Sequence, residues 1–231
     1  FENTIFIFPE GALAGVNFDQ LKSFKNLFLN NFSSNHIIIM GINTEKNSST
    51  YNSMVVLNNE LKLLSQYNKI KLVPFGEFLP FETQLEKIGL KKITEGFGSF
   101  SKGNKNNIFS YEDINIVPLI CYEIIFPELI QSVRHKHSLL VNISEDGWFG
   151  ETIGPHQHFS KSIFRAIESD NFVIRSANKG ISAIINNRGQ IIKSLKNNET
   201  GNIEYRVPIR EKKGGNKNDL IFFVLLFTYC F

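Results

Sequence analysis

Short runs of Ile, Val, Phe and Leu recur along the chain, each bounded by polar or turn-forming residues. They fall at Thr4–Phe8, Ile37–Ile42, Met54–Leu57, Ile114–Ile120, Ser138–Ser144, Phe172–Ala177, Ile181–Ile185 and Ile203–Val207. Runs of roughly four to eight residues, rich in β-branched side chains, predict buried strands. Helical periodicity lies between some of them. Phe18, Leu21, Phe24, Leu27 and Phe28 share one helical face, and so do Phe159, Ile163 and Ile167. Phe126-Pro127-Glu128 opens a further helix, with proline near the first turn and an acid beside it. Strands interleaved with helices predict α/β layering, and no internal repeat is visible.

Two regions depart from this pattern. From about Pro74 to Asn107 periodicity is weak, with Phe75, Phe78, Leu79, Pro80 and Phe81 at one end and Gly96, Gly98, Gly103 and Asn104 at the other. A loop this long is either a functional flap, here hydrophobic enough to face lipid, or an excursion packed on the core. The second region is the tail. Residues 211–219 read as a linker, and Leu220 to Phe231 form an unbroken apolar stretch of 12 residues. As a helix it reaches about 18 Å, against about 30 Å of hydrocarbon. It reads either as the start of a membrane helix or as a buried terminal element. With no signal peptide at Phe1, the chain reads as a piece of a longer protein.

Composition narrows the function. Of 231 residues, 42% are hydrophobic, which excludes wholesale disorder. The 25 basic and 22 acidic side chains leave a net charge of +3, too little to argue for nucleic acid. Cys121 and Cys230 are too far apart in sequence to read as a disulfide framework or a zinc motif. His156 and His158, two residues apart, do not share a helix face and make a poor metal pair.

Two of the three chemical candidates sit at strand ends. Cys121 follows the run Ile114–Ile120, and in open α/β sheets ligands bind beyond the carboxyl ends of strands. Glu10 stands likewise after Thr4–Phe8, in Pro9-Glu10-Gly11. Lys69 lies in Gln66-Tyr67-Asn68-Lys69-Ile70-Lys71. Taken singly, these read as a buried thiol, a turn acid and a surface lysine. Taken together they supply a nucleophile, a base and a cation for the oxyanion of acyl transfer, with no histidine required.

Phe8-Pro9-Glu10, Tyr67-Asn68-Lys69 and Ile120-Cys121-Tyr122-Glu123 resemble the Glu-Lys-Cys signature of the nitrilase superfamily. Longer strings resemble the apolipoprotein N-acyltransferase family within it. These are Tyr67 to Pro80, Cys121 to Pro127, Asn142 to Gly150, Arg165 to Glu168 and Arg175 to Ser182. The resemblance covers nearly all of residues 1–210. Glu145 and Gly147 depart from it, standing where family members more often carry Asn and Ala.

The resemblance implies a four-layer αββα sandwich over residues 1–210, whose first strand is expected upstream of Phe1, followed by a truncated C-terminal transmembrane helix at 220–231. It implies catalytic roles for Glu10, Lys69 and Cys121, and supporting roles for Glu77, Tyr122 and Glu123. Trp148 and Phe78 are expected to bind substrate. No cofactor or metal is implied. The implied reaction moves an acyl chain from a phospholipid, through a Cys121 thioester, to the amine of an S-diacylglyceryl-cysteine on a lipoprotein. The expected setting is the bacterial inner membrane, the catalytic domain facing the periplasm as a monomer. Lys212, Lys213 and Lys217 flank the tail on that side, against the positive-inside tendency. A soluble amidase with the same three residues, and a catalytically idle membrane module, are the alternatives.

Overall fold

The computed structural model describes residues 3–80, 99–104, 108–111, 114–131, 138–208 and Phe227. The middle of the Phe-rich loop and the tail, apart from Phe227, therefore lie outside the described residues. Two sheets carry the fold. The first has four strands in the order β1 (Thr4–Ile7), β2 (His36–Lys46), β3 (Ser49–Leu57) and β4 (Leu63–Asn68). The pair β1–β2 is parallel, whereas β2–β3 and β3–β4 are antiparallel.

The second sheet has six strands. From one edge it runs β10 (Ile191–Leu195), β9 (Ser182–Ile185), β8 (Phe172–Asn178), β7 (Ser138–Glu145), β6 (Ile114–Ile120) and β5 (Phe109–Tyr111). Its centre, β6–β7–β8, is parallel, and its flanks are antiparallel. Pro118 is tolerated inside β6 because, among the described residues, the pairing with β5 ends at Phe109 and Ile116.

Three apolar clusters define the layers. Ile37, Ile39, Met54, Val56 and Tyr67 of the first sheet meet Ile116, Ile120, Leu139, Val141 and Ile143 of the second. The other face of the first sheet presents Ile38, Met40, Ile42, Val55 and Leu57 to Leu21 and Phe28. These two belong to the short helices α1 (Phe18–Leu21) and α2 (Lys25–Asn31). The other face of the second sheet packs Val117, Leu119, Leu140, Val173 and Ala183 against Phe159 and Ala166 of α3 (Gly154–Ser169). Helix, sheet, sheet, helix is the expected sandwich. The strands are buried on both faces, which is why they read as continuous apolar runs.

Several local expectations needed correction. Residues 203–207 form no strand, although Val207 packs on the inter-sheet core and Tyr205 stacks on Phe172. The strands β4, β5 and β10 were not anticipated, because each mixes polar with apolar residues. On α2, Phe28 is buried, but Leu27 and the preceding Phe24 face outward. On α3 the buried stripe is Pro155, His158, Phe159, Ser162, Arg165, Ala166 and Ser169, and Ile167 is half exposed. Pro127 opens only a short 3-10 turn, Pro127–Leu129. No helix among the described residues is long and apolar enough to cross a membrane.

Candidate active site

Glu10, Lys69 and Cys121 each follow a strand, and the two facing sheets bring them to one place. Glu10 comes within reach because β2 has a glycine beneath it. A Cβ on Gly41 would lie 2.7 Å from the Glu10 Cα, closer than any side chain permits. Lys69 is fixed through its backbone, its N–H donating to Asn52 O at 2.9 Å and its carbonyl accepting from Gly103 N at 2.8 Å. Cys121 opens a 3-10 turn, Cys121–Ile125, with φ +50°, a left-handed conformation that non-glycine residues adopt only under constraint.

Lys69 is 1% exposed, its ammonium 2.9 Å from Glu77 Oε1 and 3.8 Å from Glu10 Oε1. Burial pushes the ammonium pKa down, but the charges of Glu10, Cys121 and Glu77 outweigh it, and the net effect is upward. Lys69 is therefore a permanent cation. Asn52, in β3, donates from one nitrogen to Glu10 Oε1 and to Glu77 Oε1, 2.7 Å each. It locks both carboxylates beside the ammonium. Val73 N–H completes Glu77, and Glu145 N–H binds Glu10 Oε2, both at 2.9 Å.

The thiol behaves differently. Burial and the Glu10 charge push the Cys121 pKa up to about 12, against the downward pull of Lys69 and a hydrogen bond with Ser144. At neutral pH it is a protonated thiol and needs a base to become a nucleophile. Glu10 is the carboxylate whose charge acts on it most.

Glu123 is held by backbone N–H groups and by Tyr67. Fully buried, its Oε1 accepts from Tyr67 OH, Ile70 N and Lys71 N at 2.8, 2.7 and 3.0 Å, and its Oε2 accepts from Ile120 N at 2.8 Å. It fastens the end of β4, which carries Lys69, to the turn that carries Cys121. Burial raises its own pKa, and those donors offset part of the rise.

On the other side of Cys121 lies a buried cluster whose importance the sequence pattern did not disclose. Asp146, after β7, receives two bonds from Arg175 of β8, at 2.7 and 2.9 Å, and one from Ser144 Oγ at 2.7 Å. Its Oδ1 lies 3.0 Å from His158 Nδ1 on α3. Arg175 also donates to Asn142 Oδ1, and to Ile181 O at 3.2 Å. Burial alone would raise the Asp146 pKa, but His158 and Arg175 hold it down at about 2.

The remaining candidates lie nearer the surface. Tyr122 is partly exposed, with its ring edge-on to Phe126 and near His158. Trp148 is 68% exposed, and Phe78 is partly buried beside the short bridge with Pro74. His156 is exposed and His158 buried, so the two do not converge. Among the described residues no three of His, Cys, Asp and Glu stand together as metal ligands.

Comparisons with known proteins place the fold and the family. The chain is 36% identical over 210 residues to the apolipoprotein N-acyltransferase of Rhizobium leguminosarum bv. trifolii (strain WSM2304), a match covering 88% of this chain and 39% of that protein. It is 38% identical over 159 residues to the apolipoprotein N-acyltransferase of Brucella suis biovar 1 (strain 1330), covering 68% of this chain and 30% of the relative. The chain thus spans well under half the length of these curated relatives. A CN-hydrolase superfamily protein from Xanthomonas campestris shares its fold with TM-score 0.62 at 15% identity, covering 85% of this chain and 75% of that one. An amidase from Nesterenkonia sp. AN1 does so with TM-score 0.58, at 15% identity and coverages of 85% and 76%. The sequence profile of the carbon-nitrogen hydrolases matches residues 5–211, so the chain belongs to the carbon-nitrogen hydrolase family.

Proposed function

We propose that this chain is the catalytic part of an apolipoprotein N-acyltransferase, with Glu10, Lys69 and Cys121 as its reacting groups. The observation that carries the reading is the burial of the Lys69 ammonium against Glu77 and Glu10, at 2.9 and 3.8 Å, on a strand end that Glu123 ties to the turn holding the buried Cys121. The names of the relatives supply the substrate class.

In this mechanism Glu10 takes the Cys121 proton, and the thiolate attacks an ester carbonyl of a phospholipid. Lys69 and a backbone N–H near Tyr122 hold the oxyanion. The intermediate collapses with loss of the lysophospholipid alkoxide, which takes the proton back from Glu10, leaving an acyl thioester on Cys121. The amine of S-diacylglyceryl-cysteine then attacks the thioester carbonyl. Its proton passes to Glu10 and on to the departing thiolate, and the amide product leaves. Glu77 steadies Lys69, Glu123 steadies the turn, and Tyr122, Trp148 and Phe78 border the acyl chains.

The domain assignment follows the same reading: residues 1–210 form the catalytic unit, 211–219 a linker and 220–231 the start of a membrane helix. The whole protein is a monomer in the bacterial inner membrane with this unit on the periplasmic side. Acyl chains give such an anchor its purpose, since each buried CH₂ contributes about 0.8 kcal/mol.

The test is intact mass of the full-length protein in detergent after incubation with phospholipid. An acyl adduct on Cys121, removed by hydroxylamine and passed to a diacylglyceryl-cysteine peptide, is the expected result. Turnover of small amides without any adduct from phospholipid would replace the transferase with a hydrolase. No chemistry of either kind would leave an idle module.

A further inference from the structure

The Cys121 carbonyl oxygen accepts from two side chains, Asn142 Nδ2 at 3.3 Å and His158 Nε2 at 3.2 Å. Both lead back to Arg175, which donates to Asn142 Oδ1 and whose NH2 lies 3.1 Å from His158 Nδ1. Arg175, Asp146, Asn142 and His158 are all buried. The proposed chemistry uses none of them, yet they converge on the backbone of the one residue whose φ of +50° must be held in place.

The partner of Nε2 settles where its hydrogen lies. A carbonyl can only accept, so Nε2 must carry it. Nδ1 lies between the Asp146 carboxylate at 3.0 Å and the Arg175 guanidinium at 3.1 Å, where a bare nitrogen would accept from Arg175 and a protonated one would donate to Asp146. Burial lowers the His158 pKa, against the pull of Asp146. Either form of the ring offers the same hydrogen from Nε2 to Cys121.

We propose that His158 is a positioning residue for the nucleophile. The Asp146–Arg175 pair fixes its ring, and the ring, with Asn142, clamps the Cys121 carbonyl and so maintains the left-handed turn that presents the thiol. This inference rests on Cys121 being the nucleophile and not on the identity of the acyl acceptor. Gly180 belongs to the same device, because a Cβ there would run into the Asp146 carboxylate.

Two measurements on the full-length protein test it. Ring ¹⁵N shifts of His158 in the parent should show Nε2 protonated; a bare Nε2 overturns the proposal. The second measures alkylation of Cys121 by iodoacetamide and single-turnover acylation from phospholipid, in His158→Leu and His158→Gln. Displacing the turn by about an ångström should slow both reactions by about 10²-fold in His158→Leu, with the donor KM unchanged. Glutamine, which offers an N–H to the carbonyl and an oxygen to Arg175, should restore most of the rate. A His158→Leu protein that reacts like the parent, or a folded His158→Gln that is as slow as the leucine variant, overturns the proposal. If His158→Leu does not fold, Gly180→Ala replaces it, with slowed alkylation expected and a parental rate overturning the idea. Alkylation that follows these expectations in a protein taking no acyl group from phospholipid would sink the transferase reading alone.

Discussion

The four-stranded sheet brings Glu10, Asn52 and Lys69 to one side of Cys121, and the six-stranded sheet brings Asn142, Asp146 and Arg175 to the other. Both clusters are polar and both are enclosed, yet their charges balance differently. The first holds one ammonium against Glu10 and Glu77, each carboxylate keeping 13% of its side-chain surface open. The second matches one guanidinium to one carboxylate, both at 0% side-chain exposure, with every Asp146 contact supplied by a neighbouring side chain. A buried pair closed in this way stores little net energy but punishes the loss of either partner. The first cluster, with two carboxylates to one ammonium, is the unbalanced and the less tightly closed of the two. On the proposed function, the difference separates a part that reacts from a part that holds.

Substitutions of the two cations should break the comparison most sharply. Arg175→Met leaves Asp146 as an unpaired buried charge and should destabilise the full-length protein by about 3–5 kcal/mol in denaturant titrations. Lys69→Met should cost about 1–3 kcal/mol of stability, because Glu10 and Glu77 keep Asn52, Val73 N and Glu145 N as donors. Its main loss should appear in single-turnover acylation, raising the barrier by roughly 2.7–4 kcal/mol, as removal of an oxyanion donor does. Equal stability losses in the two variants would erase the distinction.

Acid titration sharpens it further. Asp146 is held at about 2 against a reference of 3.8, so its folded value is depressed and unfolding takes up a proton in acid. Its stabilisation is complete above about pH 4 and disappears as the pH falls to about 2, a change on the order of 2 kcal/mol. Urea midpoints across that window should fall in the parent and fall less in Asp146→Asn. The smallest effect belongs to the exposed Trp148. Trp148→Ala should change stability by less than about 0.5 kcal/mol, given the exposure of the indole, while raising the KM for phospholipid. A large stability loss would show that the indole is packed.

Glu10 and Cys121 stood out in the sequence because each follows an apolar strand run, whereas Lys69 follows a strand the pattern missed and was singled out only beside the other two. The α/β layering was visible in the apolar runs, and the αββα sandwich came from the resemblance. Asn52 was harder. It sits in β3 with Ser53, two polar residues ahead of the apolar run Met54–Leu57, and both are buried. Polar residues continuing a core strand were the available signal. Arg175 gave a similar one, as a charge inside Phe172–Ala177. The stripe of α3 was misjudged for the same reason. Phe159, Ile163 and Ile167 match the helical period, but the sheet beneath carries Arg175, and the helix answers with His158 on its buried face. Hydrophobic periodicity finds cores that are apolar, and this one is polar next to the nucleophile.

The bonds from Glu123 to Tyr67, Ile70 and Lys71 span more than fifty residues of sequence, and that from Glu145 to Glu10 spans 135. Each joins one sheet to the other. Such contacts form late, since distant segments must meet before any of them is rewarded. A nascent chain with only one sheet in place therefore has a thiol with neither base nor cation beside it. Reactivity at Cys121 becomes a gauge of completed folding, and an unfinished chain stays chemically silent.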